Sequence, residues 1–261
     1  MPDPTTRDGG VSQSYDASSG DVVIDGVTRL TWERKVDPGS HSWDEAQAYC
    51  ACLALGGYQD WRLPTRIELV SIVDFTKTDP ALDGVAFPAT SGDYFWTSSL
   101  LAENPSTAWY VYFFDGNTHS GGMDSAYRVR CVRSEATATP TERYTIAGDG
   151  TVFDKVTKLT WQRTLDMATR SWSEANAYCA GLMLAGPGWR LPNMKELQTL
   201  VDERATSPAI AGAAFPGTPS EAFWTSSPLV GGPAEAWFVN FYSGVSYTNV
   251  LENPYRARCV R

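Results

Sequence analysis

Apolar residues recur along this chain at two periods, and the whole arrangement is written twice. Trp43, Ala46, Cys50 and Leu53 follow at steps of three, four and three, and Trp172, Ala175, Cys179 and Leu182 repeat the spacing. That spacing is one face of a helix. Ser42 three residues before Glu45, and Ser171 before Glu174, predict capping boxes at the helix starts. A second helix is predicted after each Leu-Pro. There Thr65 precedes Glu68 and Asn193 precedes Glu196, with Leu69, Ile72, Val73 and Leu197, Leu200, Val201 as the buried stripes. Pro64 and Pro192 disfavour helical geometry at the residue before them, so Trp61-Arg62-Leu63 and Trp189-Arg190-Leu191 are predicted as extended corners between two helices. On this reading Trp43, Trp61, Trp172 and Trp189 are structural; a cofactor box is the alternative.

Period-two stretches surround the helices. Val22–Asp25 and Val152–Asp154 are predicted strands, each followed by a turn and a second strand at Arg29–Trp32 or Lys158–Trp161. Phe95–Ser99 is matched by Phe223–Ser227, and Ala108–Phe113 by Ala236–Phe241. Tyr127–Arg133 alternates too, which predicts Tyr127, Val129 and Cys131 inward and the arginines outward; Tyr255–Arg261 copies it. The copies run in step at an offset of 129, then 128 beyond the Gly-rich loop. Such a period is too long for a solenoid unit, so whole domains are duplicated. The predicted organisation is a disordered lead-in at 1–20, a domain at 21–133, a linker at 134–142 and a second domain at 143–261. The class is α+β, each unit two helices on small antiparallel sheets.

Charge and cysteines change this picture. The net charge of −9 is uneven: residues 21–133 hold 15 acidic and 9 basic side chains, residues 143–261 hold 10 and 11. An acidic first half argues against nucleic acid, which needs clustered Lys and Arg. No apolar run approaches the ~18 residues of a membrane span, and the lead-in lacks the apolar segment of a signal peptide. Cys50 and Cys131 match Cys179 and Cys259, one of each pair on the first helix and one in the last strand. A disulfide from first helix to last strand is predicted in each copy, Cys50–Cys131 and Cys179–Cys259, closing a long loop; four buried thiols are the alternative. Cys52 has no counterpart and is predicted free. No metal-ligand spacing involves the cysteines.

Few residues suggest catalysis. His41 and His119, the only histidines, become Arg170 and Tyr247 in the second copy, as surface variants do. Ser98-Ser99 and Ser226-Ser227 lack a nucleophile elbow. Asp25 and Asp154 are read as turn residues, Glu68 and Glu196 as caps, and Arg62 and Arg190 as half-buried arginines bonding carbonyls or a carboxylate. Candidate ligand-binding residues lie where the framework lapses: Asp93, Tyr94, Glu103, Asn104, Asp115, Asn117, His119 and Asp124 in the first copy. Glu221, Tyr242, Tyr247, Asn249, Glu252 and Asn253 are their counterparts in role in the second. Variable loops over a kept scaffold are what recognition modules carry.

The ordered motifs Leu-Thr-Trp, Ser-Trp-x-Glu-Ala-x-Ala-Tyr-Cys, Trp-Arg-Leu-Pro, Phe-Pro, Trp-Thr-Ser-Ser and Arg-Cys-Val-Arg each occur twice. They resemble the family named after the C-terminal domain of the Legionella collagen-like protein, over 21–133 and 143–261. The helix with its Cys and the terminal Cys strand also resemble the wider C-type lectin-like fold, in which a disulfide joins first helix to last strand. The Arg-Leu-Pro-x-x-x-Glu segment is similar to formylglycine-generating enzymes of that fold. The resemblance implies two tandem C-type lectin-like domains, secreted, periplasmic or on a bacterial surface, binding glycan or protein and not acting as an enzyme. A structural spacer and a formylglycine-generating-type enzyme are the alternatives. The family's namesake is associated with sulfated polysaccharides. Calcium-dependent lectins carry Glu-Pro-Asn; Glu103-Asn104-Pro105 and Glu252-Asn253-Pro254 reverse that order. No cofactor is expected, calcium on the acidic first domain excepted. The two domains are expected to share a scaffold and not a ligand, with an oppositely charged ligand on the first.

Overall fold

A computed structural model describes residues 12–134 and 142–261. The chain divides into two compact units, 1–137 and 138–261, each with the mixed α+β character its sequence predicts. In the first unit the order is β1 (Tyr15–Asp16), β2 (Val22–Asp25), β3 (Leu30–Glu33), α1 (Trp43–Cys52), α2 (Arg66–Ser71), β4 (Tyr94–Leu101), β5 (Asn104–Tyr112), β6 (Asn117–Gly122) and β7 (Val132–Ser134). Two antiparallel sheets result, ordered β1-β2-β3-β7 and β4-β5-β6. The second unit repeats them as β8 (Tyr144–Ile146), β9 (Thr151–Asp154), β10 (Thr160–Gln162), α3 (Trp172–Ala180), α4 (Met194–Gln198), β11 (Ala222–Leu229), β12 (Gly232–Asn240) and β13 (Ser246–Val250). Its sheets are β10-β9-β8 and β11-β12-β13.

The lead-in is shorter than predicted. Residues 1–11 and most of the linker (135–141) lie outside the described residues, but Gln13–Gly20 belong to the first unit. Tyr15 pairs with Asp25 across β1 and β2 and sets its ring edge-on to Phe87. Gln13 donates from Nε2 to the Val73 carbonyl at 3.2 Å. Ser134, placed in the linker by sequence, ends β7 against Leu30.

Each helix start carries the capping box that its sequence predicts. The Glu45 carboxylate accepts the Ser42 N–H at 2.9 Å, and Glu68 accepts the Thr65 N–H at 2.8 Å. Ala46 and Cys50 on α1 are fully buried against Trp61, Leu63, Trp96 and Val129. Ala175 and Cys179 on α3 do the same against Trp189, Leu191 and Trp224. Glu68 has a second task, forking to the Arg62 guanidinium at 2.6 and 2.7 Å. Burial pushes its carboxyl up, but the Arg62 bonds outweigh that and hold it below the usual range. Arg190 grips Glu196 in the same way at 2.6 Å, so both corner arginines are half-buried and bond a carboxylate.

Both disulfides form, Cys50–Cys131 and Cys179–Cys259, while Cys52 is free and exposed. Asp25 and Asp154 are the turn residues predicted, accepting the Val27 and Val156 N–H groups at 2.8 and 2.9 Å. Asp154 is also held by Arg143 at 2.6 Å; Ser14 stands at that place in the first unit.

The last segment departs from the prediction. Only Val132–Ser134 joins a ladder, and Arg130 and its counterpart Arg258 do not point outward. Arg130 and Arg258 are completely buried. Arg130 donates to the carbonyls of Glu33 and Arg34 and to the Thr90 hydroxyl, over the Phe87 ring at 4.8 Å. Arg258 repeats this with Gln162, Arg163, Thr218 and Phe215. Arg128 pairs with Asp93, and Arg133 with Asp60. Alternation predicts the side on which a side chain leaves the strand; neighbouring carbonyls decided that a guanidinium could be satisfied inside.

Glu33 sits beside Arg130 and shows what the copies exchange. Its carboxylate accepts the Tyr49 hydroxyl at 2.8 Å and the Cys131 N–H at 3.0 Å. In the second unit Gln162 bonds Tyr178 and the Cys259 N–H in the same positions. Burial pushes the Glu33 carboxyl above its ordinary range, with the Cys131 N–H, Tyr49 and Arg130 opposing. A raised folded pKa means that stability is full below the unfolded glutamate pKa and is lost as pH rises through the folded value. Glu33→Gln is therefore expected to be the more stable protein at neutral pH. The advantage should disappear on acidification through that window, as read by thermal unfolding against pH.

Candidate functional site

The three-stranded sheet β4-β5-β6 has one face inside the unit and one that leaves it. Phe95, Trp109, Val111 and Phe113 line the inner face and are fully buried; α2 packs against β4 and β5, its Arg66 lying over Trp109 at 5.2 Å. The opposite face begins in the core with Trp96 and Ala108 beside the disulfide. It then runs out to solvent through an unbroken series of rings.

Antiparallel register builds that series. Trp96 pairs with Tyr110 and Tyr94 with Tyr112 across β4 and β5; Tyr110 pairs with His119 and Tyr112 with Asn117 across β5 and β6. Phe114 stacks on Tyr112 at 5.6 Å, and Tyr112 meets Tyr94 at 4.5 Å. Tyr94 meets Tyr110 at 5.0 Å, and Tyr110 stacks on His119 at 6.0 Å. Tyr127 fills the angle between Tyr94, Tyr110 and Trp96 at 5.2, 5.1 and 4.4 Å. Each such pair contributes ~0.5–1.5 kcal/mol beyond its burial, so the rings hold one another in place. Tyr94 and Phe114 remain 40% and 43% exposed, which marks this as an uncovered aromatic surface.

Polar groups rim the exposed end. Asp93 accepts the Ser91 hydroxyl at 2.7 Å and Arg128 Nε at 3.1 Å, and the Ser91 bond foremost holds its carboxyl below the ordinary range. Asp115 accepts the Asn117 N–H at 2.9 Å, yet burial pushes its carboxyl up. The Tyr112 hydroxyl is raised, first by desolvation and then by Tyr94 and the carboxylates of Asp115, Asp79 and Asp93.

The sequence candidates therefore separate. Asp93, Tyr94, Asp115 and Asn117 gather at the exposed end, and His119 ends the series on β6. Glu103 and Asn104 lie in the β4–β5 hairpin at the other end of the sheet, near Asp124, apart from the rings. Several residues taken as loop positions are on strands, since Asn117–Gly122 forms β6. Its Asn-Thr-His-Ser-Gly-Gly sequence has little strand character and is held by pairing to β5. Tyr110, Tyr112, Phe114, Tyr127 and Asp79 were missed. Alternation along Trp109–Phe114 carries the signal, placing Tyr110, Tyr112 and Phe114 on one face.

The second unit breaks the series. Ala222 and Asn240 stand where the first has Tyr94 and Tyr112. Phe238 still meets Tyr255 at 4.7 Å and Tyr247 at 5.9 Å, but Tyr242, half exposed, lies beyond Asn240. Glu221 pairs with Arg256 at 2.7 Å, and Asn249 donates to the Tyr255 hydroxyl at 2.6 Å. Glu252 and Asn253 lie at the far end of that sheet, Asn253 lending its carbonyl to Trp224 Nε1 at 3.2 Å.

Elsewhere in the first unit, Gln47, Ala48, Ala51, Trp61, Arg62, Leu63 and Ser98 border an open depression of about 440 Å³, whose one guanidinium is committed to Glu68. His41 bonds Asp37 at 2.9 Å and faces Tyr49. Arg170 does the same with Asp166 and Tyr178, so the two side chains are equivalents in a local network. Among the described residues no three His, Cys, Asp or Glu side chains converge as around a metal ion. Nor is any described helix long and apolar enough to cross a membrane.

Comparison with curated protein sequences found no match. The family of the Lcl C-terminal domain matches twice, over residues 21–133 and 150–261. The chain belongs to the Lcl C-terminal domain family and carries two copies of that domain in tandem.

Proposed function

We propose that this chain is an exported bacterial binding protein built of two C-type lectin-like domains, and that its first domain takes a glycan on the aromatic face of β4-β5-β6. It acts by binding and not by catalysis. The observation that carries the reading is the series Phe114, Tyr112, Tyr94, Tyr110 and His119, fixed by strand register and open to solvent at Tyr94 and Phe114. A pyranose ring presents a flat face of C–H groups, and rigid aromatic rings receive such a face with little entropy to lose. Two disulfides suit an oxidising compartment, which supports export.

Stacking a flat ring on an aromatic side chain is worth ~1–3 kcal/mol where it has been measured for nucleobases. In the full chain, Tyr94→Ala and Tyr112→Asn are each expected to weaken oligosaccharide binding about tenfold or more, measured by calorimetric titration. Tyr242→Ala should leave it unchanged. Asn240 already occupies the Tyr112 position in the second domain, so Tyr112→Asn is compatible with the fold. Saccharide binding that is indifferent to both substitutions would sink the reading. A protein ligand lost with the same two rings, and no saccharide bound, would replace glycan by protein.

A further inference from the structure

The two copies differ at the aromatic face in rings and in charge together. Where the second has Ala222 and Asn240, the first has Tyr94 and Tyr112; where the second has Ser207 and Ser243, the first has Asp79 and Asp115. A third acidic position does not follow this pattern. Asp93 becomes Glu221, its partner Arg128 becomes Arg256, and the ion pair is present in both, at 3.1 and 2.7 Å. That pair is framework. The carboxylates peculiar to the first domain are those without a cation: among the described residues no basic side chain pairs with Asp79 or Asp115.

Both carboxylates flank the exposed end of the rings. The Asp79 N–H donates to the Phe114 carbonyl at 2.8 Å. Its Oδ1 lies so near Gly92 that a Cβ there would sit 2.5 Å from it and 3.2 Å from the Phe114 Cα. Asp115 follows Phe114 directly and is partly withdrawn from water. Together with Asp93 these two groups are felt at the Tyr112 hydroxyl. Ring faces are electron-rich and attract cations, so the rings and the uncompensated carboxylates favour the same sign of charge. The first domain as a whole has that sign, with 15 acidic against 9 basic residues over 21–133.

From this we infer that the glycan taken by the first domain is cationic: a hexosamine oligomer with free amino groups. The inference rests on the aromatic face being the glycan site and specifies its ligand. The sugar rings lie along the stripe, whose successive centroids are 4.5–6.0 Å apart. An ammonium group at the exposed end meets Asp79 and Asp115 above Tyr112 and Phe114. The second domain, lacking the equivalents of Tyr94 and Tyr112 and both carboxylates, does not take it.

The test uses the full chain and three oligosaccharides of equal length: β-linked glucosamine, its fully N-acetylated form and the corresponding glucose oligomer. The free-amine oligomer is expected to bind at least tenfold more tightly than the other two, and added salt should shrink the gap. Asp79→Ser/Asp115→Ser, which installs the second domain's residues, should abolish the gap and leave N-acetylated binding as it was. Asp21→Ser/Asp44→Ser removes as much charge away from the rings and should change nothing. Tyr112→Asn should weaken all three. Equal binding of the three oligomers, or a gap that both double variants reduce alike, overturns the cationic ligand and leaves the aromatic glycan site standing. Failure of all three to bind overturns both.

Discussion

Replacing Cys50 and Cys131 together by alanine is expected to remove about 4.5 kcal/mol from the first domain on the chain-entropy account of a cross-link. The bridge spans 81 residues and ties α1 to the segment that enters β7. Cys179→Ala/Cys259→Ala removes a bridge of 80 residues and should cost the second domain a similar amount. Small domains are stable by only ~5–15 kcal/mol, so either variant should unfold at much lower urea, followed by tryptophan fluorescence. Mass mapping of the oxidised parent should find Cys52 alone alkylated without reduction. A double-alanine variant that keeps the parent's urea midpoint would show that the cross-link contributes nothing to the folded state.

Arg130→Ala is the second large effect. Burial pushes the Arg130 guanidinium pKa down to about 10, still far above neutral, so a charged group is held in the core by carbonyls and a hydroxyl. Its removal strands the carbonyls of Glu33 and Arg34 and the Thr90 hydroxyl without their donor, and leaves a cavity under Phe87. Orphaned buried acceptors cost ~1–3 kcal/mol each, and cavities add to that. A loss of roughly 3–5 kcal/mol follows, which belongs to the uncommon class of severe substitutions. Arg258→Ala should behave alike, since that guanidinium, lowered to about 9 by burial, makes the same bonds. Arg130→Lys should not restore stability, because the donors of an ammonium share one nitrogen and cannot span the places reached by the two terminal guanidinium nitrogens. Equilibrium unfolding of the alanine and lysine variants checks this; a lysine variant as stable as the parent would contradict it.

These two effects fall on a framework shared by both domains, whereas the proposed glycan site falls on what they do not share. The disulfides, corner arginines and buried arginines recur with the same partners. Over that frame Tyr94, Tyr112, Asp79 and Asp115 are present once. On that proposal the expected difference in ligand between the domains falls at the exposed end of β4-β5-β6.

How far this could be read from sequence differs by residue. The capping boxes, the Ala46 and Cys50 face, the corner at Pro64 and the duplication are written in neighbouring residues, because caps, helical spacing and proline geometry are local. Tyr94, Asp93 and His119 were legible as candidates, though as loop residues and without their common surface. Tyr110, Tyr112 and Phe114 were hidden in plain alternation, since an aromatic strand residue is usually covered. The matching places of the four cysteines point to two bridges, and both form, whereas Gln13 and Tyr15, in the stretch read as disordered, are tied to the first unit by partners far along the chain.

By itself the sequence determined that there are two copies, where their helices begin, which helix faces are apolar and which residues could cap or cross-link them. Tertiary structure decided the inward turn of Arg130, the strand made by Asn117–Gly122, and the line of rings from Phe114 to His119. Each of these depends on groups far apart in the chain. A guanidinium can be buried only where distant carbonyls meet it, a weak strand forms only beside a strong one, and rings on three strands align only through their register.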